Sequence, residues 1–338
     1  MRPVLLPPNR LVHFYAGGEA ITALRGVPAP DGRSPEEWVA STTTRHGEAS
    51  TGLSPLPGGG LLRDAVAADP DGWTGGVLPG GPGDVGVLVK LLDAGQRLPV
   101  HVHPDRVFAS SHLGSCYGKT EAWYVLDAVP GARVHLGWRD DVDPDDLARA
   151  VLAEDSGWML DRMHAVDVVP GDVVLVPAGT VHAIGAGIFV VEVQEPSDFS
   201  LLLEHVGFSG PEEAFLGLDV AGAVAATGTR ALPPGDLAGL CRHVPPGSTG
   251  PLPLRVLPEQ ADPFFAADLL GPGGASVDVP AGFGILVVLD GSGVAVCADG
   301  GVAVSRGDVL AVPHGAGAWQ LTGEVTAVLC RPSAAGTA

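Results

Sequence analysis

A chain of 338 residues exceeds the length at which one hydrophobic core usually stops growing, so two modules are expected. Hydrophobic residues at 46% and charged residues at 17% exclude a largely disordered protein. The net charge of -20, from 39 acidic against 19 basic groups, argues against a nucleic-acid partner, because phosphate backbones need a basic surface.

No apolar run approaches the roughly 18–20 residues of a membrane span, so no membrane partner is expected. Met1–Arg10 carries no charged segment followed by an apolar one, and the cysteines at 116, 241, 297 and 330 form no CxxC pair. A reduced, cytoplasmic protein is the expectation.

The 49 glycines and 31 prolines punctuate the chain as short strands and tight turns do, which predicts an all-β protein. In chain order, a short helix is expected at 61–68, then strands at 84–92, 122–126 and 133–138. The acidic cluster Asp143-Pro-Asp-Asp146 suits a positive helix start, so a helix is expected at 145–154, within a small helical insertion at about 143–163. Strands follow at 172–177 and 188–193, then short helical candidates at 211–216 and 218–227. Pro-rich stretches at 232–236 and 244–257 precede a second strand-dense block at 275–330. The expected organisation is a metal-binding unit at 1–206, a partly helical linker at 207–250, and a metal-free unit at 251–338.

The two blocks repeat one another. Gly171-Asp-Val-Val-Leu-Val-Pro177-Ala-Gly179-Thr-Val-His182 and Gly307-Asp-Val-Leu-Ala-Val-Pro313-His-Gly315-Ala-Gly-Ala318 both spell G-D-x4-P-x-G-x2. Only the last position differs, His182 against Ala318. Two related β-barrels are therefore expected, the first alone retaining a metal ligand at this point.

His101 and His103 stand at i and i+2, which on a strand sends both imidazoles to one face. Glu121 opens another expected strand on its inward alternation, and His182 closes the repeated turn. Singly, each is ordinary: a solvated pair, a paired carboxylate, a hydrogen-bonded histidine. Together they offer three nitrogens and one carboxylate, a donor set suited to Zn, Fe, Mn, Ni or Co.

These residues and their neighbours resemble the cupin superfamily and, more narrowly, the type I phosphomannose isomerases. The resemblance runs through Glu37-Trp38-Val-Ala-Ser41, Leu88-Val-Lys90-Leu-Leu-Asp93, His101-Val-His103-Pro104-Asp105 and Gly118-Lys-Thr-Glu121-Ala-Trp123. It continues through Val176-Pro-Ala-Gly-Thr-Val-His182-Ala-Ile-Gly185 and Glu192-Val-Gln-Glu-Pro-Ser-Asp198. It implies two cupin (jelly-roll) barrels, Zn2+ on His101, His103, Glu121 and His182, and exchange of mannose 6-phosphate with fructose 6-phosphate through an enediol. It also implies a role near the reacting carbons for Glu192. Two positions depart from the family: Pro99 replaces a serine linked to substrate phosphate, and Leu202 replaces a catalytic arginine.

Only two of the 19 basic residues are lysines, Lys90 and Lys119, and both lie beside these motifs. Lys119 is accordingly a candidate for catalysis and substrate binding, Lys90 for substrate binding, and Glu204 for the work of the missing arginine. Three function classes stay open: a sugar or sugar-phosphate isomerase, another cupin metalloenzyme such as an oxygenase or epimerase, and a non-catalytic sugar-binding cupin. The expected partner in each is a small sugar or sugar phosphate, and the sequence does not specify an oligomeric state.

Overall fold

The computed structural model describes residues 1–29, 33–208 and 210–334. Residues 30–32, 209 and 335–338, parts of the expected first unit, linker and second unit, lie outside the described residues. Among those described, strands dominate, helices are short, and the strands form three antiparallel sheets. None of the helices is long and apolar enough to cross a membrane.

A seven-stranded sheet runs in the order Cys241–His243, Asp172–Val176, Glu121–Ala128, Ile188–Gln194, Leu88–Ala94, Glu36–Val39, Arg10–Leu11. A five-stranded sheet runs Leu201–Leu202, His101–Val102, His182–Ile184, Arg133–Trp138, Met163–Asp167. The C-terminal region forms an eight-stranded sheet whose long central partners, Gly284–Cys297 and Trp319–Pro332, pair over most of their length. Two strands cross the expected boundaries. Val4–Leu5 pairs with the C-terminal strand Val309–Val312, and Cys241–His243 edges the N-terminal sheet beside Asp172–Val176. The core follows suit: one apolar cluster joins Val89, Leu91 and Val191 to Ile285, Val309 and Val328.

The repeated segments fold alike. Gly171 and Gly307 both take positive φ, where a Cβ would be strained. The next residue in each case turns its carboxylate back onto the chain: Asp172 accepts the Val169 N–H and Asp308 the Ser305 N–H, both at 2.8 Å. A buried strand follows in both, Asp172–Val176 and Val309–Val312. The side-chain oxygen occupies a backbone donor that the sharp turn leaves unpaired.

Several expected boundaries shift for local reasons. The strand expected at 84–92 begins only at Leu88, because the Asp84 carboxylate accepts the Gly80 and Gly86 N–H groups and holds a turn. The helix expected at 145–154 spans Pro144–Leu152, with Asp143 accepting the Asp145 N–H at 2.8 Å. A second helix, Ser156–Leu160, completes the helical segment, and Pro234–Leu240 is helical within a stretch read as Pro-rich linker.

Candidate metal centre and cavity

The five- and seven-stranded sheets meet at a cluster of buried polar side chains. His101 stands directly opposite His182 across an antiparallel pair, with ring centroids 4.0 Å apart. His103 lies two residues on, where Pro104 keeps the chain extended and the His103 carbonyl accepts the Gly179 N–H at 2.7 Å. The accessible nitrogens of the three rings all fall within 4.8 Å of one another, and all three residues are buried. Glu121 enters from the seven-stranded sheet, its carboxylate 2.9 Å from His103 Nε2 and 3.4 Å from His182 Nε2.

The hydrogen bonds behind the rings place a proton on each Nδ1. Nδ1 of His101, His103 and His182 each sits 2.8 Å from a backbone carbonyl, of Pro99, Phe199 and Thr180 respectively. A carbonyl can only accept, so each Nδ1 carries a proton, and a neutral ring then presents its lone pair at Nε2. Burial pushes His101 well below the usual imidazole range, with the other two rings adding to it. Burial, with the Lys119 ammonium beside it, takes His103 down to about 3. Burial alone would raise the Glu121 carboxyl, but Lys119 and the histidines hold it well below its ordinary value. At His101 and His103, neutral imidazoles facing an ionised carboxylate are acceptors facing an acceptor.

That arrangement calls for a cation. His182 Nε2 and Glu121 Oε2 are buried without a hydrogen-bond partner, and Lys119 Nζ supplies only part of the need, 3.0 Å from His103 Nε2 and 3.1 Å from Glu121. Three oriented nitrogens and a carboxylate, each ring held from behind by a carbonyl, fit a divalent metal of the zinc class.

Beside this cluster opens a cavity of about 730 Å3, lined among others by His101, Lys119, Glu121, Lys90, Glu192 and Leu202. Glu192 and Lys90 face each other across paired strands, 3.2 Å apart. Lys90 also lies 3.6 Å from Glu36, which receives the Tyr15 hydroxyl at 2.5 Å and the Trp38 indole N–H at 2.7 Å. Burial would lower the Lys90 ammonium, yet Glu192 and Glu36 together raise it above its usual value. Burial raises the Glu192 carboxyl; Lys90 opposes this and the nearby Glu121 reinforces it. Glu36 goes the other way, because Lys90 and its hydrogen bonds outweigh the effect of burial.

The structure thus brings together His101, His103, Glu121, His182, Lys119, Lys90 and Glu192. It does not bring Glu204. Leu203 and Glu204 both donate their N–H groups to the Val100 carbonyl, so strand alternation ends at Leu202. The Glu204 carboxylate turns instead to Arg97, at 2.6 Å, and to the Val100 N–H. It is absent from the described cavity lining, where a replacement for an arginine would have to stand. Sequence reasoning missed Glu36, Tyr15 and Arg45. For Glu36 a signal existed: it shares the strand alternation of Trp38, and both are buried.

The Lys90 contacts yield a test of the buried network. Lys90→Met is expected to cost about 3–5 kcal/mol, since it strands Glu36 and Glu192 without their shared counter-charge. The loss should deepen as pH rises, because a carboxyl whose folded pKa is raised contributes stability that fades on ionisation. Urea unfolding of both proteins across pH measures this; equal stability throughout would refute the network.

In class this is a β-rich protein with a buried centre of three histidines and one carboxylate opening on a cavity. The resemblance to the type I phosphomannose isomerases is borne out by its relatives. The chain is 34% identical over 189 residues to the Bacillus subtilis protein named "Probable mannose-6-phosphate isomerase GmuF", covering 54% of this chain and 55% of that one. The match thus spans about half the length of that curated relative. The mannose 6-phosphate isomerase crystal structure from Bacillus subtilis shares the fold, with a TM-score of 0.76 at 23% identity over 98% of this chain and 100% of that one. A mannose 6-phosphate isomerase bound with zinc and yttrium aligns with a TM-score of 0.74 at 16% identity, over 98% of this chain and 100% of that one. No family model matches the chain.

Proposed function

We propose that the protein is a metal-dependent aldose–ketose isomerase of the phosphomannose isomerase type, acting on the mannose/fructose pair as 6-phosphates or on a related sugar. The observation that carries this reading is the His101–His103–Glu121–His182 cluster opening on the cavity that also holds Glu192 and Lys119. In this reading residues 1–206 form a metal-binding cupin barrel, 207–250 a linker, and 251–338 a degenerate cupin without metal. The unpaired thiols suit a reducing cytoplasm.

His101, His103, Glu121 and His182 would hold Zn2+, or Fe, Mn, Ni or Co as the same donors allow. Bound there, the metal would polarise sugar oxygens or order the pocket. Glu192 takes the proton from C2 of the open-chain aldose and returns it at C1, its raised pKa suiting both halves of the transfer. Lys119, which lines the cavity with its Nζ 3.1 Å from Glu121, donates to the sugar oxygen on which charge develops. Lys90 positions Glu192 rather than touching sugar, because its ammonium already lies between two carboxylates.

The test combines metal analysis of the purified protein with proton NMR of hexoses and hexose 6-phosphates in D2O. About one zinc per chain, with deuterium appearing at C2 of an aldose, is the expected result. Iron with oxygen uptake would replace this reading by an oxygenase. Bound metal with no exchange on any sugar would replace it by a binding protein.

A further inference from the structure

We propose that the cavity is built for an unphosphorylated polyhydroxy sugar and disfavours a hexose phosphate by charge. This rests on the isomerase reading of the same site. Among the described residues, seven carboxylates line the cavity against three ammonium or guanidinium groups. Glu36, Glu121 and Glu192 are buried at its floor. Glu48, Asp198, Glu212 and Glu213, which also line it, are exposed or half-exposed.

Each of the three cations already faces a carboxylate whose charge it offsets. Lys90 lies 3.2 Å from Glu192 and 3.6 Å from Glu36, and Lys119 lies 3.1 Å from Glu121. Arg45 lies 3.3 Å from Glu48 and donates to the Val12 carbonyl at 2.6 Å. A divalent metal adds two positive charges and still leaves the lining negative. A phosphate dianion would therefore enter a partly enclosed space of its own sign, where repulsion is weakly screened. Leu98, Pro99, Ile184 and Leu202, also in the lining, offer it no side-chain donors.

A sugar hydroxyl meets the opposite conditions, since it donates a proton that carboxylates accept without adding charge. The buried carboxylate of Glu192 points the same way. It is 2% exposed and lines the cavity, and its Oε1, though near the Lys90 ammonium, accepts no hydrogen bond within the chain. An unsatisfied acceptor at that depth is costly unless a ligand donor reaches it. The lining selects by leaving a wrong ligand's charge uncompensated as well as by contacting the right one.

The test uses the full-length, metal-loaded protein in two arms. Calorimetry compares D-mannitol with D-mannitol 1-phosphate, open-chain mimics that cannot isomerise; NMR compares turnover of D-mannose with mannose 6-phosphate. Mannitol should bind at least tenfold more tightly than its phosphate, and kcat/KM should be at least tenfold higher for the free sugar. In Glu48→Gln/Glu212→Gln/Glu213→Gln the ratio should shift several-fold toward the phosphosugar. Tighter binding of mannitol 1-phosphate, faster turnover of mannose 6-phosphate, no binding of mannitol, or an unmoved ratio in the variant would each overturn the inference. Faster turnover of the phosphosugar would leave the isomerase reading standing. Preferred binding of mannitol without turnover of either sugar would refute the isomerase reading and leave this inference in place.

Discussion

His182→Ala is expected to lower metal affinity by at least about 100-fold, because even changing a group behind a ligand costs about 10–100-fold. His182 is fully buried, its Nδ1 is tied to the Thr180 carbonyl, and its Nε2 has no other partner. Removing the ring deletes a donor and leaves Glu121 facing one imidazole fewer. His314→Ala is the control. His314 lies in the corresponding turn of the repeated segment, four residues before the Ala318 that stands where His182 does, and it is exposed. Its loss should leave metal content at the wild-type level. Metal stoichiometry after dialysis against a mild chelator measures both; equal content in the two variants would mean that the ion binds elsewhere.

The contrast between those two histidines shows how much of the site was legible in the sequence. The i, i+2 spacing of His101 and His103 and the repeated turn before His182 are local patterns, and the chain folds as local chemistry dictates. Asp172 and Asp308 capture equivalent N–H groups, which is why the repeat survives as geometry. Glu121 was legible through alternation, since the Trp123 indole two residues on donates back to it at 3.0 Å. Glu36 was legible only as a strand position alternating with Trp38, and Arg45 not at all: what they do depends on Lys90 and Glu48 as partners and on which sheet faces the cavity. Glu204 was read from its position near Leu202 alone, whereas two N–H groups converging on the Val100 carbonyl break the strand there. Register can be read along a strand but not past its end.

Glu192→Gln is expected to reduce turnover by about 10²–10⁴-fold while metal content stays near that of the wild type. The amide keeps the shape of the side chain and its place on the Ile188–Gln194 strand, but it cannot carry a proton between neighbouring carbons. Glu192 is not one of the clustered donors and pairs with Lys90, so the centre loses no donor. The pH profile supplies a readout that packing damage would not produce. Burial holds the Glu192 carboxyl above its ordinary value, with Lys90 opposing and Glu121 and Glu36 adding to the rise. A base must be ionised to accept a proton, so wild-type kcat/KM should fall as pH drops, and should begin falling above the usual glutamate value of about 4.3. In Glu192→Gln that acid limb should vanish from the residual rate, since the group that titrates is gone. Lys90→Met should instead move the limb to higher pH, because removing the ammonium makes the carboxylate harder to ionise. Persistence of the limb in Glu192→Gln, or turnover within a few-fold of the wild type, would place the proton-transferring base on another residue of the cavity.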